Sequence, residues 1–248
     1  MNVDMMKRIH LDTVTSTNSY IREQLDFGTI LPEMWLVDSD EQTAGRGQKG
    51  NSWETEKGKN LTFSILCHPH FVSPARQFIL SKAIALSIQQ TLAEFADDFT
   101  VKWPNDVYWK DKKISGTLIE CDLVGRCIGN CIIGSGVNIN QEKFLSDAPN
   151  PVSLKNITGK EYDREEILDK IVTRFLSFYT DIKEGKEAGV TELYMHNLYR
   201  REGFHLYQDC NHSFEAEIAD IEPSGHLVLR KHDGITLRFE FKEVKFIL

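Results

Sequence analysis

The chain has 248 residues, enough for one large domain and a small one around a real hydrophobic core. Its 41% hydrophobic and 27% charged residues are an ordinary globular balance, and no apolar run approaches the ~20 residues that span a bilayer. A formal net charge of −8 speaks against a dedicated nucleic-acid binder, which carries a basic face for phosphates.

The first ten residues, MNVDMMKRIH, lack the apolar stretch of a secretory signal, so a cytoplasmic protein is expected. Residues 17–26 read as a short helix: Ser16 or Thr17 suits its N-cap, and Ile21 and Leu25 share one face. MWLV (34–37) reads as a buried strand, 41–60 as a long polar, glycine-rich segment and LTFSILCH (61–68) as the next strand. Ser73 as N-cap and Pro74 at the first helical position predict a helix through residue 96, with Phe78, Ile79, Ile84, Leu86, Ile88, Leu92 and Phe95 on its apolar face. Four β-like runs follow: FTVKW, VYW, KISGTLIECDLV and RCIGNCIIGSGVNIN. Five cysteines match no zinc spacing, and Cys121, Cys127 and Cys131 read as buried free thiols. Asp163 predicts the cap of a helix to about 183, and 187–198 another. From Gly203, five short β-like segments with tight turns predict a small barrel, dividing the chain into 1–198 and 199–248.

Three segments carry chemistry. In Ala44-Gly45-Arg46-Gly47-Gln48-Lys49-Gly50-Asn51-Ser52-Trp53, glycines free backbone N–H groups for an anion, Arg46 and Lys49 add charge, and Trp53 offers a face for adenine. A solvated surface loop reads equally well from the same residues. The segment is neither a P-loop nor a dinucleotide fingerprint. In Lys102-Trp103-Pro104-Asn105-Asp106, Pro104 stops a strand and leaves Asn105 and Asp106 at its mouth, where a carboxylate suits water-bound Mg²⁺. Lys113 is the second residue of KKISGTLIE, and read alone it is a solvated turn lysine. The glycines of Gly134-Ser135-Gly136-Val137-Asn138 mark either close approach of a ligand or a β-bulge. Ser16-Thr17-Asn18, taken alone, is a helix cap.

In order along the chain, Ser16-Thr17-Asn18, Gln42 with AGRGQKGNSW, KWPND, KKISGTLIE, GSGVNIN and PVSLKN resemble the biotin–protein ligases. The resemblance runs from about residue 9 to the end. It implies an α+β fold, with a mixed-sheet catalytic domain followed by an SH3-like barrel. It implies ATP and Mg²⁺ as co-substrate and ion, biotin as substrate, and a biotin carboxyl carrier domain as acceptor. Ser16, Thr17, Asn18 and Gln42 would meet the ureido end of biotin. Gly45, Gly116, Leu118, Gly134, Gly136 and Val137 would line its slot. Arg46, Gly47 and Gln48 would wrap the carboxylate and phosphates. Lys49, Asn51, Trp53, Lys102, Asn105, Asp106 and Asn138 would hold ATP, with Asp106 toward Mg²⁺. Lys113 matches the family's central lysine, and with Arg46 it would be catalytic. Some family members carry arginine in place of Gln48 and Asn51, so charge at the adenylate must come from elsewhere, with Lys49 a candidate. The chain begins almost at the catalytic motifs, so no helix-turn-helix domain and no DNA binding are expected. Monomer and homodimer both occur in the family.

Two other functions fit parts of this pattern. A lipoate or octanoate ligase of the same fold would bind an acyl chain without a ureido ring. A non-catalytic biotinyl-AMP sensor would not need Lys113.

Overall fold

The computed structural model describes residues 6–48, 50–146 and 150–247. Seven strands form the first sheet: β1 (Arg8–Val14), β2 (Trp35–Gln42), β3 (Leu61–Cys67), β4 (Phe99–Lys102), β5 (Asp106–Trp109), β6 (Lys112–Val124) and β7 (Cys127–Val137). Their spatial order is β1-β2-β3-β7-β6-β5-β4. Only β1 and β2 run parallel, joined through α1 (Thr17–Asp26); the other neighbours are antiparallel. The sheet is therefore mixed.

Strand β3 sits near the middle and is buried at every residue, which is why its sequence reads as a nearly unbroken apolar run. Side chains alternate between faces with period two. One face, with Phe63, Ile65, Ile133 and Val137, packs against α2 (Phe78–Leu92), α4 (Arg164–Lys183) and α5 (Glu187–His196). The opposite face presents Leu66, Ile132, Trp35 and Val37 to Ile21 of α1. Toward its other end the same α1-side face carries Ser64, Gly134 and Gly136, and there the layer of large side chains stops. A hollow results.

Several local expectations change. Strand β1 adds to the predicted elements: RIHLDTV alternates apolar and polar residues as a half-buried strand does, placing Ile9 and Leu11 toward α1 while it pairs with β2. The predicted 74–96 helix is a 3₁₀ turn at Pro74–Arg76 followed by α2, and Ser73 makes no side-chain cap bond. Ser16 stands at the N-cap of α1 in extended conformation but likewise makes no cap bond, because its surroundings are the hollow. Asp163 does cap α4, accepting from the Glu165 amide at 2.8 Å. A short helix α3 (Leu154–Thr158) carries a capping box between Ser153 and Asn156. All five cysteines are free, but Cys127 is exposed because it opens β7 at the hairpin tip.

At the β1–β2 edge, His10 Nδ1 lies 2.6 Å from Asp38, with Asp40 3.7 Å from Nε2. The hydrogen bond to Asp38 raises the His10 pKa above its ordinary 6.5, burial opposes this, and the Asp38 and Asp40 charges add to the rise. A raised folded-state pKa contributes stability fully present below about 6.5 and lost as pH climbs through the raised value. Urea melts across that window should show wild-type stability falling with pH relative to His10→Gln. Parallel curves would sever the link to this histidine.

A second, antiparallel sheet follows, in order β11-β10-β9-β8-β12: β8 (His205–Gln208), β9 (Ser213–Ile221), β10 (Leu227–Arg230), β11 (Thr236–Phe239) and β12 (Lys245–Phe246). It docks beside β4. Trp103 Nε1 donates to the Gly225 carbonyl at 2.8 Å, and Arg200 donates to the Ile247 carbonyl at 2.7 Å. Gly225 has φ +94° and lies against the Phe78 ring, so both its backbone and its neighbour require glycine. Phe241, just beyond β11, meets Trp103 with ring centroids 6.3 Å apart. Among the described residues no helix is long and apolar enough to cross a membrane.

Candidate active site

The hollow on the α1 side is a cavity of about 740 Å³, within the range of small-molecule sites. Its floor is the β6–β7 pair, in which Gly116 faces Gly136 and Leu118 faces Gly134. The register is regular here; its irregularity falls between Cys121 and Leu123, so the two β7 glycines are not a bulge. They are glycines because side chains occupy the space a Cβ would take: Asn18 over Gly134, and the Trp53 indole over Gly136. A Cβ on Gly116 would come within 3.1 Å of Lys113 Nζ and 3.2 Å of the Trp53 ring.

The glycine-rich segment is a small hairpin over the cavity mouth. Arg46 bridges Ser52, the Gly47 amide donates to the Asn51 carbonyl at 2.8 Å, and the Trp53 amide to Gly45 at 2.9 Å. Gly50 supplies the turn with φ +86°. Glu54 then ties the hairpin to the segment after β7, accepting from the Leu145 and Ser146 amides at 2.8 and 2.7 Å. Burial would raise its pKa, but bonds from Ser146, Leu145 and Gln141 outweigh this and lower it.

Two cations line the same cavity, each beside a carboxylate. Lys113 Nζ lies 2.7 Å from Asp106 Oδ1 and 5.7 Å from the Trp53 ring centroid. Arg46 pairs through Nη2 with Glu120 and reaches Ser19 with Nη1 at 3.3 Å. At the deep end, the Thr17 amide and hydroxyl both donate to Gln42 Oε1, at 2.8 and 3.2 Å. Ser64 Oγ lies 2.7 Å from Thr17 Oγ1 and 2.6 Å from Asn18 Oδ1, and Asn18 Nδ2 donates to Glu120 at 2.8 Å. Three buried polar atoms of cavity residues lack a hydrogen-bond partner among the described residues: Trp53 Nε1, Gln48 Oε1 and Asn138 Oδ1. Leaving such an atom unmet costs ~1–3 kcal/mol, so a ligand that meets them gains correspondingly.

The biotin/lipoate A/B protein ligase family profile matches residues 11–138, from β1 to the end of β7. The chain belongs to this family. Among similar proteins, the bifunctional ligase/repressor BirA of Bacillus subtilis is 28% identical over 234 residues, covering 92% of this chain and 70% of the relative. The biotin–[acetyl-CoA-carboxylase] ligase of Paracoccus denitrificans is 28% identical over 206 residues, covering 81% and 85%. A solved structure of the biotin protein ligase from Aquifex aeolicus, in complex with biotin and ATP, superposes with TM-score 0.80 at 25% identity, covering 97% of this chain and 99% of that one.

Within this ligase-family site, Ser16, Thr17, Asn18, Gln42, Arg46, Gly47, Gln48, Asn51, Trp53, Asn105, Asp106, Lys113, Gly116, Leu118, Gly134, Gly136 and Asn138 all line one cavity. Three expected members do not. Val137 is the neighbour of Gly136 on an alternating strand, so it points into the helix-covered core. Lys102 turns to Tyr108, donating to its hydroxyl at 3.0 Å and lying over the Tyr108 and Phe246 rings, where burial lowers its pKa. Gly45 lies beneath the Trp53 carbonyl instead of facing the hollow. Lys49 lies outside the described residues. Lys113 is not a solvated turn lysine: its amide donates to the Asn150 carbonyl and its carbonyl accepts from Val152, seating it in the wall.

Asp106 is an ion-pair partner first. Among the described residues, only His10, Asp12 and Asp40 cluster at metal-ligand spacing, at the far sheet edge.

Sequence reasoning missed Ser64, Glu120, Glu54, Asn150 and Phe241. Ser64 and Glu120 did leave a signal, each a polar residue breaking an apolar strand. Asn150 and Phe241 left none, since only tertiary packing brings them to the rim.

Proposed function

We propose that this chain is an ATP-dependent biotin–protein ligase that makes biotinyl-AMP and passes biotin to a lysine of a biotin carboxyl carrier domain. One observation carries the reading: Lys113 and Arg46 flank a single hollow whose deep end holds a polar trio of Ser16, Thr17 and Gln42. A ureido ring needs such donors and acceptors, whereas a lipoyl or octanoyl chain leaves them unmet. The B. subtilis and P. denitrificans ligases and the A. aeolicus complex support it.

In this reading the glycine floor takes the flat bicyclic ring of biotin, with Leu118 beside it. Two anions, the biotin carboxylate and the triphosphate, must then meet. Lys113 and Arg46 offset their repulsion and hold the carboxylate oxygen against the α-phosphorus. The P–O bond to pyrophosphate breaks as the anhydride forms. Trp53 Nε1, Asn105 and Asn138 address the adenine side, with the indole kept in its seat over Gly136. Asp106 fits a Mg²⁺ ion held mostly by phosphate and water, since one oxygen already serves Lys113; bound there, Mg²⁺ would neutralise charge on the departing pyrophosphate. In the second step an acceptor amine attacks the anhydride carbonyl and AMP leaves.

We further propose that residues 199–248 form an SH3-like barrel whose Phe241 completes the nucleotide end of the cavity, and that the protein works in the cytoplasm. ATP, Mg²⁺, biotin and a carrier domain, followed by intact-mass measurement, test the function: one biotinyl group should be added to the carrier. Absence of both pyrophosphate release and carrier modification, with biotinyl-AMP still bound, would point to a non-catalytic sensor, and a larger thermal shift with lipoate than with biotin to a lipoate ligase.

The hairpin should close over the water-sensitive anhydride. Biotin plus ATP should therefore slow proteolysis within residues 43–58, by about tenfold if ordering is worth ~1.4 kcal/mol. Equal cutting rates in both states would remove closure from the mechanism.

A further inference from the structure

Glu120 has no part in the chemistry above, yet it sits where the site's two halves meet. It lies two residues beyond Leu118 on the cavity face of β6 and contacts both the hairpin and α1, beside the direct Arg46–Ser19 bond between them. One carboxylate oxygen takes the Arg46 guanidinium and the other takes Asn18 Nδ2 at 2.8 Å. Asn18 is in turn held by Ser64, which touches Thr17, which donates to Gln42. Because its oxygens are divided, Glu120 grips Arg46 through one nitrogen instead of a two-pronged fork, leaving other guanidinium donors for an incoming anion.

We infer that Glu120 is a positioning residue that couples ureido recognition to the hairpin. It holds Arg46 at the cavity wall before any anion arrives, and it is seated by the same Asn18 that backs the deep polar trio. The inference rests on the biotin-ligase reading for its ligand but not for the ion pair itself. At Glu120 strand β6 is held in register by β7, opposite Ile132, whereas the hairpin reaches β6 through Arg46 on Glu120 and the Trp53 ring beside Lys113. Losing the Glu120 charge therefore frees the hairpin while the sheet keeps its register. Glu120→Gln preserves an acceptor for Asn18 and removes only the attraction for Arg46.

The test is a double-mutant cycle on the full chain with two readouts. In the absence of ligand, Glu120→Gln and Arg46→Gln should each be cut within residues 46–52 about fivefold faster than wild type, the size a pair of this exposure supports. The double variant should be no faster than either single one. In calorimetry with biotin, Glu120→Gln should weaken binding about fivefold in the wild-type background and hardly at all beside Arg46→Gln. Glu120→Asp should recover part of both effects. Unchanged cutting in Glu120→Gln, or equal losses in both backgrounds, would overturn the assignment. If wild type itself binds no biotin, the functional reading fails, while the ligand-free cutting rates still decide whether Glu120 holds the hairpin. Melting temperatures of the variants show whether the fold persists, and Arg46→Gln removes the same pair from the loop side should Glu120→Gln not fold.

Discussion

Lys113→Ala should lower biotin-dependent pyrophosphate release by about two to three orders of magnitude, the effect of removing one preorganised charge-stabilising donor worth ~3–4 kcal/mol. The geometry makes this a loss of chemistry and not of structure. Backbone bonds to Asn150 and Val152 seat residue 113 whatever its side chain, and about a third of the lysine side chain is exposed. Thermal stability should therefore move little. The ammonium also sits beside Asp106 and under the Trp53 ring, so its deletion leaves the site with a net negative wall facing two negative substrates. Lys113→Arg should rescue poorly, because a planar fork cannot occupy the point above Gly116 where the ammonium lies. Near-normal pyrophosphate release from Lys113→Ala would remove this residue from the reaction.

Adding a methyl group to the floor should separate ligand binding from folding. In Gly136→Ala the new Cβ overlaps the Trp53 indole, which belongs to the hairpin and can leave. The expected result is a KM for ATP raised at least about tenfold, ~1.4 kcal/mol, with a nearly unchanged melting temperature. In Gly134→Ala the overlap is with Asn18, whose side chain is fixed by Ser64 and Glu120 and belongs to α1. It cannot leave without breaking that network, so the cost appears as ~1–3 kcal/mol of lost stability. Thermal melts and ATP saturation curves on the two variants check the contrast. A Gly136→Ala protein with a normal KM would mean that the Trp53 seat over Gly136 is no part of the nucleotide site.

Local patterning carried the elements with strong periodicity or strong punctuation. LTFSILC announced a buried strand, Asp163 a helix start, and the turn-rich stretch after Gly203 a run of five strands. The first strand is also legible as a period-two alternation, though a short and charged one. Strand β2 supplies backbone partners for RIHLDTV, and its charges are tolerated because Asp38 and Glu165 lie within reach of Arg8. The site was legible as motifs because glycines, a tryptophan and paired basic residues are unusual in one short loop. Lys102 shows where that signal ends: a basic residue inside a motif reads the same whether it faces a ligand or a tyrosine.

By itself, then, the amino-acid sequence determined which chemistry was available: the cations Arg46 and Lys113, the small-residue floor and the polar trio. Their types and order are local properties of the chain. Only the tertiary structure decided which of them share a hollow. Strand alternation sent Gly136 to the cavity and Val137 to the core, and the β6–β7 register set Gly116 opposite Gly136. Packing brought Glu120 to Arg46 across 74 residues and Phe241 to the rim from the second sheet. Such partners are chosen by burial and register summed over the whole molecule, which no short stretch of sequence contains.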